Sequence, residues 1–471
     1  MRELCMLVVS ILVPALALAQ PAPARDGTTA SASPRLIAGI PLRYVRQVVD
    51  SLAPHIPAEF IGAGESNWED AWTQWRRGHE MRARERLDRG DEDSLANWWM
   101  YGTSFTRLPP ARAHDLAQDD RYTLDQVLAG RLDDLLHALA SARHDERLVF
   151  AREALQRRGI DPATRDGREA ARRLLLAARA RVREEFAYTD ATLASAKASG
   201  DPTTQLDAIS TIFKERGLSS DTSFLVDAAI DAALEVVRAA NLAGVAGIHR
   251  VAIIGPGLDF INKADGHDFY PQQTIQPFAV SDSLLRHGLS SARTLEVTTI
   301  DISPRVNQHL RSARARASNS EPYVLHLPLP RTEPWTPLVR TFWQRLGDQI
   351  ATSTKAVRVP DTDNADVRAI RIRPDIVRRV DAVQADIVTS RLVVSNDDSL
   401  DLIVATNVLV YYTPFEQALA AANIAAMLRP DGIFLTNNDV PLIAAMKPSV
   451  GRFRVKYSER QNDEVFVYQR R

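Results

Sequence analysis

The distribution of apolar residues changes in the middle of the chain. From Ile248 onward, short runs rich in apolar and β-branched residues alternate with stretches of helical spacing. This alternation is typical of βαβ units and predicts an α/β fold with a Rossmann-like, doubly wound, mostly parallel sheet. The predicted strands are Val251–Ile254, Leu295–Ile300, Val380–Ala385, Leu400–Thr406 and Ile433–Thr436. Two further segments, 452–457 and 465–469, flank a polar turn and predict a C-terminal antiparallel hairpin.

The region before this point has a different pattern. Residues 31–242 are rich in Ala, Leu, Arg and Glu at helical spacing, with few strand signals. Within them, the leucines of 124–139 form one apolar stripe along a helix. We therefore predict an all-α N-terminal domain over 25–218, followed by the α/β domain over 219–471.

One aromatic stripe lies in the helical region. Trp68, Trp72 and Trp75 are spaced at i, i+4 and i+7, so they share one face of a helix. Such a stripe could line a ligand groove, although at this spacing it more often packs in a core.

The first 24 residues have the features of an export signal. An apolar run from Leu4 to Leu18 is followed by a polar segment, and Ala17-Leu18-Ala19 matches an A-x-A cleavage site. Later in the chain, nothing approaches the ~18 unbroken apolar residues that a membrane span needs. We therefore expect an exported protein, periplasmic or secreted, with no membrane span in the mature chain. The alternative is an uncleaved anchor, or a start codon assigned too early, in which case the protein is cytoplasmic.

The amino-acid composition limits the kinds of partner and site that the chain can have. The 58 Lys and Arg residues nearly balance 59 Asp and Glu residues, for a net charge of −1, which gives no support for a nucleic-acid partner. The single cysteine, Cys5, lies in the predicted signal, so we expect neither an internal disulfide nor a cysteine nucleophile. The histidines are dispersed along the chain, and we expect no metal site.

Candidate ligand-binding residues follow the predicted strands. The strand Val251–Ile254 leads into Gly255-Pro256-Gly257-Leu258-Asp259, a turn whose glycines let a ligand approach the backbone. A dinucleotide-binding turn needs a third glycine at the position of Phe260, so NAD and FAD are disfavoured. Asp301 ends the next strand, where a carboxylate can accept both hydroxyls of a ribose.

Taken together, these segments resemble the class I S-adenosylmethionine-dependent methyltransferases. The similar motifs occur in the order of that family and cover about 219–471. They are VAIIGPGLD (251–259), VTTID (297–301), VQAD (383–386), DLIVATNVLVYY (401–412) and LRPDGIFLTN (428–437). The predicted terminal hairpin agrees with the antiparallel last strand of the family. Segment 401–412 also resembles the chemotaxis-receptor methyltransferases, which have a helical N-terminal domain.

The resemblance implies which residues bind the cofactor, S-adenosylmethionine. Gly255 and Gly257 would line its methionine part. Asp259, which stands where the family usually has a third glycine, would belong to the same cofactor-binding turn. Asp301 would hold the ribose.

The resemblance also implies residues at the two ends of the cofactor. Asp386, together with Ile387, would face the adenine. Asn407 and Tyr411 would lie at the mouth, beside the sulfonium and the incoming acceptor. The chemistry is a displacement at a methyl carbon on cationic sulfur, which requires the nucleophile, methyl and sulfur to be aligned.

Some positions and two insertions depart from the family pattern. Ile253 and Asp431 replace a usual acidic residue and a usual glycine. An insertion at about 262–277 could be a lid or substrate pocket with His267 or Asp268 as general base, or a structural segment whose aromatic residues pack on the helical domain. A second insertion, at about 321–371, is predicted to hold a helix over Leu338–Ile350.

Two functions are consistent with this sequence. The first is methyl transfer from S-adenosylmethionine to a small-molecule or protein acceptor. S-adenosylmethionine is a cytosolic cofactor, whereas the predicted signal indicates export. The alternative is therefore an exported, non-catalytic binding protein that retains the methyltransferase fold.

Overall fold

The computed structural model describes residues 37–52, 56–61, 64, 67–112, 123–141, 145–199, 216–222, 224–261, 266–360, 364–441 and 443–471. The predicted export signal at 1–24 lies outside these residues. Leu36–Arg471 forms one compact unit. Among the described residues, no helix combines the length and the apolar character that crossing a bilayer requires.

The helices and strands are numbered here in chain order. The helices are α1 (Leu42–Ser51), α2 (Trp68–Tyr101), α3 (Leu124–Ala140), α4 (Glu146–Arg157), α5 (Arg165–Ser199), α6 (Leu225–Ala239), α7 (Gln276–Arg286), α8 (Pro304–Ser318), α9 (Pro337–Arg345), α10 (Pro374–Arg378) and α11 (Pro414–Met427). The strands are β1 (Ile37–Gly39), β2 (Arg250–Ile254), β3 (Glu296–Asp301), β4 (Tyr323–Pro330), β5 (Ala351–Thr354), β6 (Ala365–Ile372), β7 (Val380–Gln384), β8 (Ser390–Leu392), β9 (Leu400–Ala405), β10 (Leu428–Thr436), β11 (Met446–Lys456) and β12 (Asn462–Arg470).

A seven-stranded sheet forms the centre of the fold, with the order β11-β12-β10-β9-β2-β3-β7. The run from β7 to β10 is parallel, and β12 is antiparallel to both of its neighbours. In chain order, the five parallel strands read 3-2-1-4-5, the arrangement of a Rossmann-like sheet. The order reverses between β2 and β9, and a crevice outside the carboxyl ends of the strands is expected there.

The central strands are apolar because both faces of the sheet are covered. On β2, Val251 and Ile253 pack in the core on one face, while Ala252 and Ile254 pack in the core on the other. All four side chains are buried. Burial on both faces explains why this strand reads as a continuous apolar run rather than an alternating one.

The helical region shares a core with the sheet. Trp72 and Trp75 of α2 are buried and pack in the same cluster as Ala252 and Phe415. Trp75 meets the ring of Phe415 edge to face, with ring centroids 5.2 Å apart. The interpretation of the tryptophan stripe as core is therefore correct for these two residues, while Trp68 is partly buried at the edge of the same cluster.

Two parts of the fold differ from the sequence-based expectation. The N-terminal region is not entirely helical, because β1 pairs with β8 in an antiparallel two-stranded sheet. The second insertion holds a three-stranded antiparallel sheet, β4-β6-β5, in addition to a helix that ends at Arg345. Strand β4 has the sequence YVLHLPLP, and its prolines weaken the strand signal.

The departure at Asp431 has a conformational explanation. Asp431 lies in the left-handed region, with φ 58°. Aspartate adopts this conformation at lower cost than most residues because its short polar side chain can bond locally. The turn therefore adopts a left-handed residue at this position without a glycine.

Candidate functional site

A cleft lies at the point where the strand order reverses. The cleft is open at its mouth, and about 730 Å³ of space lies within it when the solvent at the mouth is included. Its walls come from the carboxyl ends of β2, β3, β7 and β9, and from the helical region. The lining residues of this switch-point cleft are Leu87, Leu218, Ser219, Ser220, Asp221, Thr222, Ile254, Gly255, Gly257, Ile300, Asp301, Ile302, Ser303, Ala385, Ile387, Thr406, Asn407, Val408, Tyr411 and Tyr412.

At the glycine turn after β2, three segments of the chain lie in close contact: the turn itself, the segment of Val408 and the segment of Ser220. Gly255 and Gly257 have φ 64° and 70°, a conformation that side chains disfavour. A Cβ on Gly255 would lie 2.3 Å from a methyl of Val408, and a Cβ on Gly257 would lie 2.8 Å from the carbonyl oxygen of Ser220. Leu258 donates its backbone N–H to that same oxygen at 2.7 Å. The turn thus fixes one wall of the cleft against residues 218–222.

Gly257→Ala is expected to lower the melting temperature and to displace Ser220. The left-handed conformation alone costs a residue with a Cβ about 1–2 kcal/mol, and the close contact adds to that. Gly159→Ala is the matched control, since Gly159 has φ 71° but nothing within 4 Å of its would-be Cβ. Thermal unfolding of both variants measures the difference. Equal destabilisation would show that the contact with Ser220 contributes nothing.

Asp301 places a carboxylate in the cleft at the tip of β3. Its side chain is buried, and Oδ1 accepts the backbone N–H of Ser303 at 2.7 Å. Burial raises the pKa of Asp301 to about 6, although backbone N–H groups of Ser303 and Gly257 limit the rise. The cleft therefore holds a carboxylate that is ionised at neutral pH and can accept hydrogen bonds from hydroxyl groups.

Asn407 and Tyr411, which the family resemblance would place at the mouth, both line the cleft. Asn407 has φ 57°, and its backbone N–H donates to Oδ1 of Asn437 at 2.8 Å. The amide of Asn437 donates back to Oδ1 of Asn407 at 2.7 Å. The carbonyl of Tyr411 accepts a hydrogen bond from Arg86 of α2 at 2.9 Å.

Two predicted cofactor-binding carboxylates, those of Asp386 and Asp259, are not among the groups that line the cleft. Ile387 lines the cleft, but Asp386 accepts a hydrogen bond from Val388 N–H at 2.9 Å and binds Nε2 of His79 at 2.7 Å. Asp259 accepts hydrogen bonds from the Tyr270 hydroxyl at 2.8 Å and from Gln273 at 3.1 Å. Burial raises the pKa of Asp259 to about 6, against the lowering effect of these hydrogen bonds. Both carboxylates therefore belong to buried polar contacts beside the cleft.

The two candidate general bases also lie outside the cleft lining. Asp268 accepts hydrogen bonds from Trp98 Nε1 at 2.7 Å and from backbone and hydroxyl groups of Thr103 and Ser104 at 2.6–3.1 Å. His267 is buried, and its ring contacts that of Phe269. These positions favour the structural interpretation of the insertion, since Asp268 fastens it to the end of α2.

Part of the cleft was not predicted from the sequence. Leu87 of α2 and residues 218–222 line it, although they belong to or border the helical region. Helix α6 begins only at Leu225, and Ser220 in the segment before it accepts the backbone N–H of Leu258 from the glycine turn. Asp221 accepts a hydrogen bond from Ser94 of α2 at 2.8 Å, which ties this segment to the helical region. Within the described ranges, no group of three or more His, Cys, Asp or Glu side chains could hold a metal ion.

Comparisons with known proteins give structural matches only. No protein-family model matches this chain, and no curated protein matches it. One matching structure is magnesium protoporphyrin IX methyltransferase (ChlM) from Synechocystis PCC 6803 with bound SAM, at 10% identity over 52% of this chain and 81% of that chain, with TM-score 0.24. A second is N-methyltransferase NodS from Bradyrhizobium japonicum WM9, at 13% identity over 52% and 98%, with TM-score 0.24.

A third match covers more of this chain. A single-residue mutant of MtNAS in complex with S-adenosylmethionine is 11% identical over 73% of this chain and 90% of that chain, with TM-score 0.22. At TM-scores of this size, the fold assignment rests on the strand order of this chain rather than on the matches. The strand order identifies a Rossmann-like sheet with a ligand cleft at its switch point.

Proposed function

We propose that this chain is an S-adenosylmethionine-dependent methyltransferase whose cofactor binds in the switch-point cleft. One observation carries the proposal: the buried carboxylate of Asp301 lines the same cleft as the Gly255–Gly257 turn. A carboxylate at the tip of the second strand, beside a glycine turn after the first, suits a ligand with a ribose.

The other lining residues fit the rest of the cofactor. Ile302, Ala385 and Ile387 offer apolar surface to a planar base. Gly255 and Gly257 also line the cleft and can contact the methionine part. When bound, S-adenosylmethionine supplies a methyl group on a cationic sulfur. Residues of the helical region lie over the same cleft, and their side chains reduce its exposure to water.

The mouth of the cleft suggests how the acceptor is handled. Asn407 and Tyr411 supply polar groups there, and the bonds to Asn437 and Arg86 hold their backbone in place. Among the described residues that line the cleft, none is histidine, lysine or cysteine. We propose that the chain acts by aligning a small-molecule or protein acceptor with the methyl group, in a cleft whose lining also holds the carboxylates of Asp221 and Asp301.

Isothermal titration of the purified protein with S-adenosylmethionine and S-adenosylhomocysteine tests the proposal. We expect saturable binding of both ligands with about one site per chain. Absence of heat and of a thermal shift up to millimolar ligand would contradict the enzyme assignment. That result would favour the alternative function, binding without catalysis.

Cofactor binding is expected to weaken in acid. Because the pKa of Asp301 is about 6, its carboxyl is mostly ionised at pH 7.5 and mostly protonated at pH 5. The protonated form accepts fewer hydrogen bonds from ribose hydroxyls, so affinity should fall by about tenfold between these values. Titrations at several pH values measure this dependence. In Asp301→Asn the acid dependence should flatten, and if it persists unchanged, another group causes it.

A further inference from the structure

A buried ion cluster connects α2 with the sheet. His79 of α2 is only 3% exposed. Its Nε2 lies 2.7 Å from a carboxylate oxygen of Asp386, and its Nδ1 lies 2.9 Å from one of Glu416. The ring stacks on Trp75, with ring centroids 5.1 Å apart and planes 17° apart. The three ionisable residues His79, Asp386 and Glu416 form the His79 cluster.

The geometry of the His79 cluster favours a protonated ring when both carboxylates are ionised. A neutral imidazole carries one N–H and can donate to only one carboxylate, whereas an imidazolium donates from both nitrogens. Burial alone lowers the pKa of His79, but hydrogen bonds to Asp386 and Glu416 and the attraction of their charges outweigh it and raise the pKa to about 9. Stacking against the indole face of Trp75 also favours the cation. His79 is therefore a buried cation at neutral pH.

The two carboxylates belong to two different walls of the switch-point cleft. Asp386 stands between Ala385 and Ile387, which both line the cleft. Glu416 follows Tyr411 and Tyr412, which also line it. Neither carboxylate is itself among the lining residues, so the His79 cluster lies behind both walls.

Each carboxylate also fixes the backbone of its own segment. Asp386 accepts the N–H of Val388 at 2.9 Å. Glu416 accepts the N–H of Thr413 at 2.8 Å and its hydroxyl at 3.0 Å, in the capping box that begins α11. The position of each wall is thereby coupled to the position of its carboxylate.

We propose that His79 is a positioning residue, whose imidazolium holds segments 385–388 and 411–416 at the separation that the cofactor requires. Cofactor affinity is then linked to a proton on a residue that does not line the cleft. This inference rests on the proposed function, because the ligand it positions is S-adenosylmethionine.

The sign of the pH dependence follows from the groups around the ring. Asp386 and Glu416 face it directly, and Tyr412 lies 6.4 Å away, with a hydroxyl whose pKa burial raises well above its usual value. His79 also lines a surface groove. The charged residues that line this groove with it are Glu59, from the segment before α2, and Arg82, Glu85, Arg86 and Arg89, from α2 itself. Stabilisation by the cation is complete below the ordinary histidine pKa of 6.5 and is lost as the pH rises through about 9.

Titrations with S-adenosylhomocysteine between pH 7 and 10 test the inference on wild type and His79→Gln. Glutamine is uncharged throughout this range and cannot donate to both carboxylates. We expect the variant to bind about tenfold or more weakly at pH 7, and the ratio of the two affinities to approach one at pH 10. The amino group of the ligand titrates identically in both proteins, so the ratio isolates His79. His137→Gln, on an exposed position of α3, is the control and should follow wild type.

A ratio that stays constant from pH 7 to 10 would overturn the inference, since a purely structural role gives that result. If His79→Gln does not fold, ¹⁵N NMR of the histidine rings in the wild type decides instead. We expect one imidazole with two bonded N–H groups that titrates near pH 9, and ligand binding that weakens in the same range. If the ring assigned to His79 titrates near pH 6.5 instead, the inference is contradicted. Wild type that binds no ligand at any pH contradicts the proposed function, while the ring titration still tests the cluster.

Discussion

Replacing Asp301 by alanine is expected to weaken binding of S-adenosylmethionine by about 100-fold or more. The wild-type carboxylate can accept two hydrogen bonds from ribose hydroxyls, and bonds to a charged group contribute about 1.5–3 kcal/mol each. A loss of about 1.4 kcal/mol corresponds to tenfold in affinity. Isothermal titration at pH 7.5, where the carboxylate is ionised, measures the effect. The variant should also lose about 1–3 kcal/mol of stability, because the backbone N–H groups of Ser303 and Gly257 lose their acceptor, so affinity is measured on protein shown to be folded.

Asp282→Asn is the matched control for this variant. Asp282 is also fully buried, and it accepts the backbone N–H of Gln349 at 2.8 Å and contacts Arg286, away from the cleft lining. Its substitution should change stability without changing affinity. If Asp301→Ala binds the cofactor like wild type, the assignment of the ribose to Asp301 is wrong.

Asp268→Ala is expected to reduce the free energy of unfolding by about 3–5 kcal/mol, because removing a buried acceptor leaves its donors without partners. The donors are Trp98 Nε1 and the backbone and hydroxyl groups of Thr103 and Ser104. Gly102 lies beside this carboxylate, since a Cβ there would be 2.7 Å from Asp268 Oδ2. Urea unfolding followed by tryptophan fluorescence measures the loss.

Thr103→Val provides the comparison, since it removes a single hydroxyl bond and should cost about 1 kcal/mol. The experiment also separates the two interpretations of the insertion. A structural role predicts that Asp268→Ala loses stability while the folded fraction retains its turnover. A stable variant without turnover would instead support the general-base hypothesis.

The parts of the fold that were predicted depend on local signals. The continuous apolar run of β2 indicates burial on both faces of the sheet. The glycine at position 255 indicates a left-handed backbone conformation, which residues with a side chain disfavour. Asp301 was found because it stands at the end of an apolar strand. Each of these signals lies within a few residues of the feature that it predicts.

The parts that were missed depend on contacts between distant segments. His79 is 307 residues from Asp386 and 337 from Glu416, and a lone histidine in a charged helix gives no sign of either partner. The family resemblance implied that Asp386 faces the adenine, but its carboxylate binds His79 of α2 and is not among the groups that line the cleft. Sequence position located the segment correctly, and the packing of the helical region determined where its side chain points.

The antiparallel strand β12 has a consequence for biosynthesis. It lies between β10 and β11, and neither of those strands pairs with the other. A ribosome delivers β10 and β11 before β12, so in the nascent chain β11 has no partner and the edge of β10 is unprotected. Exposed edges of this kind are sites of misassociation between chains. Chaperone engagement is therefore expected to persist until residues 462–470 have paired with both neighbouring strands.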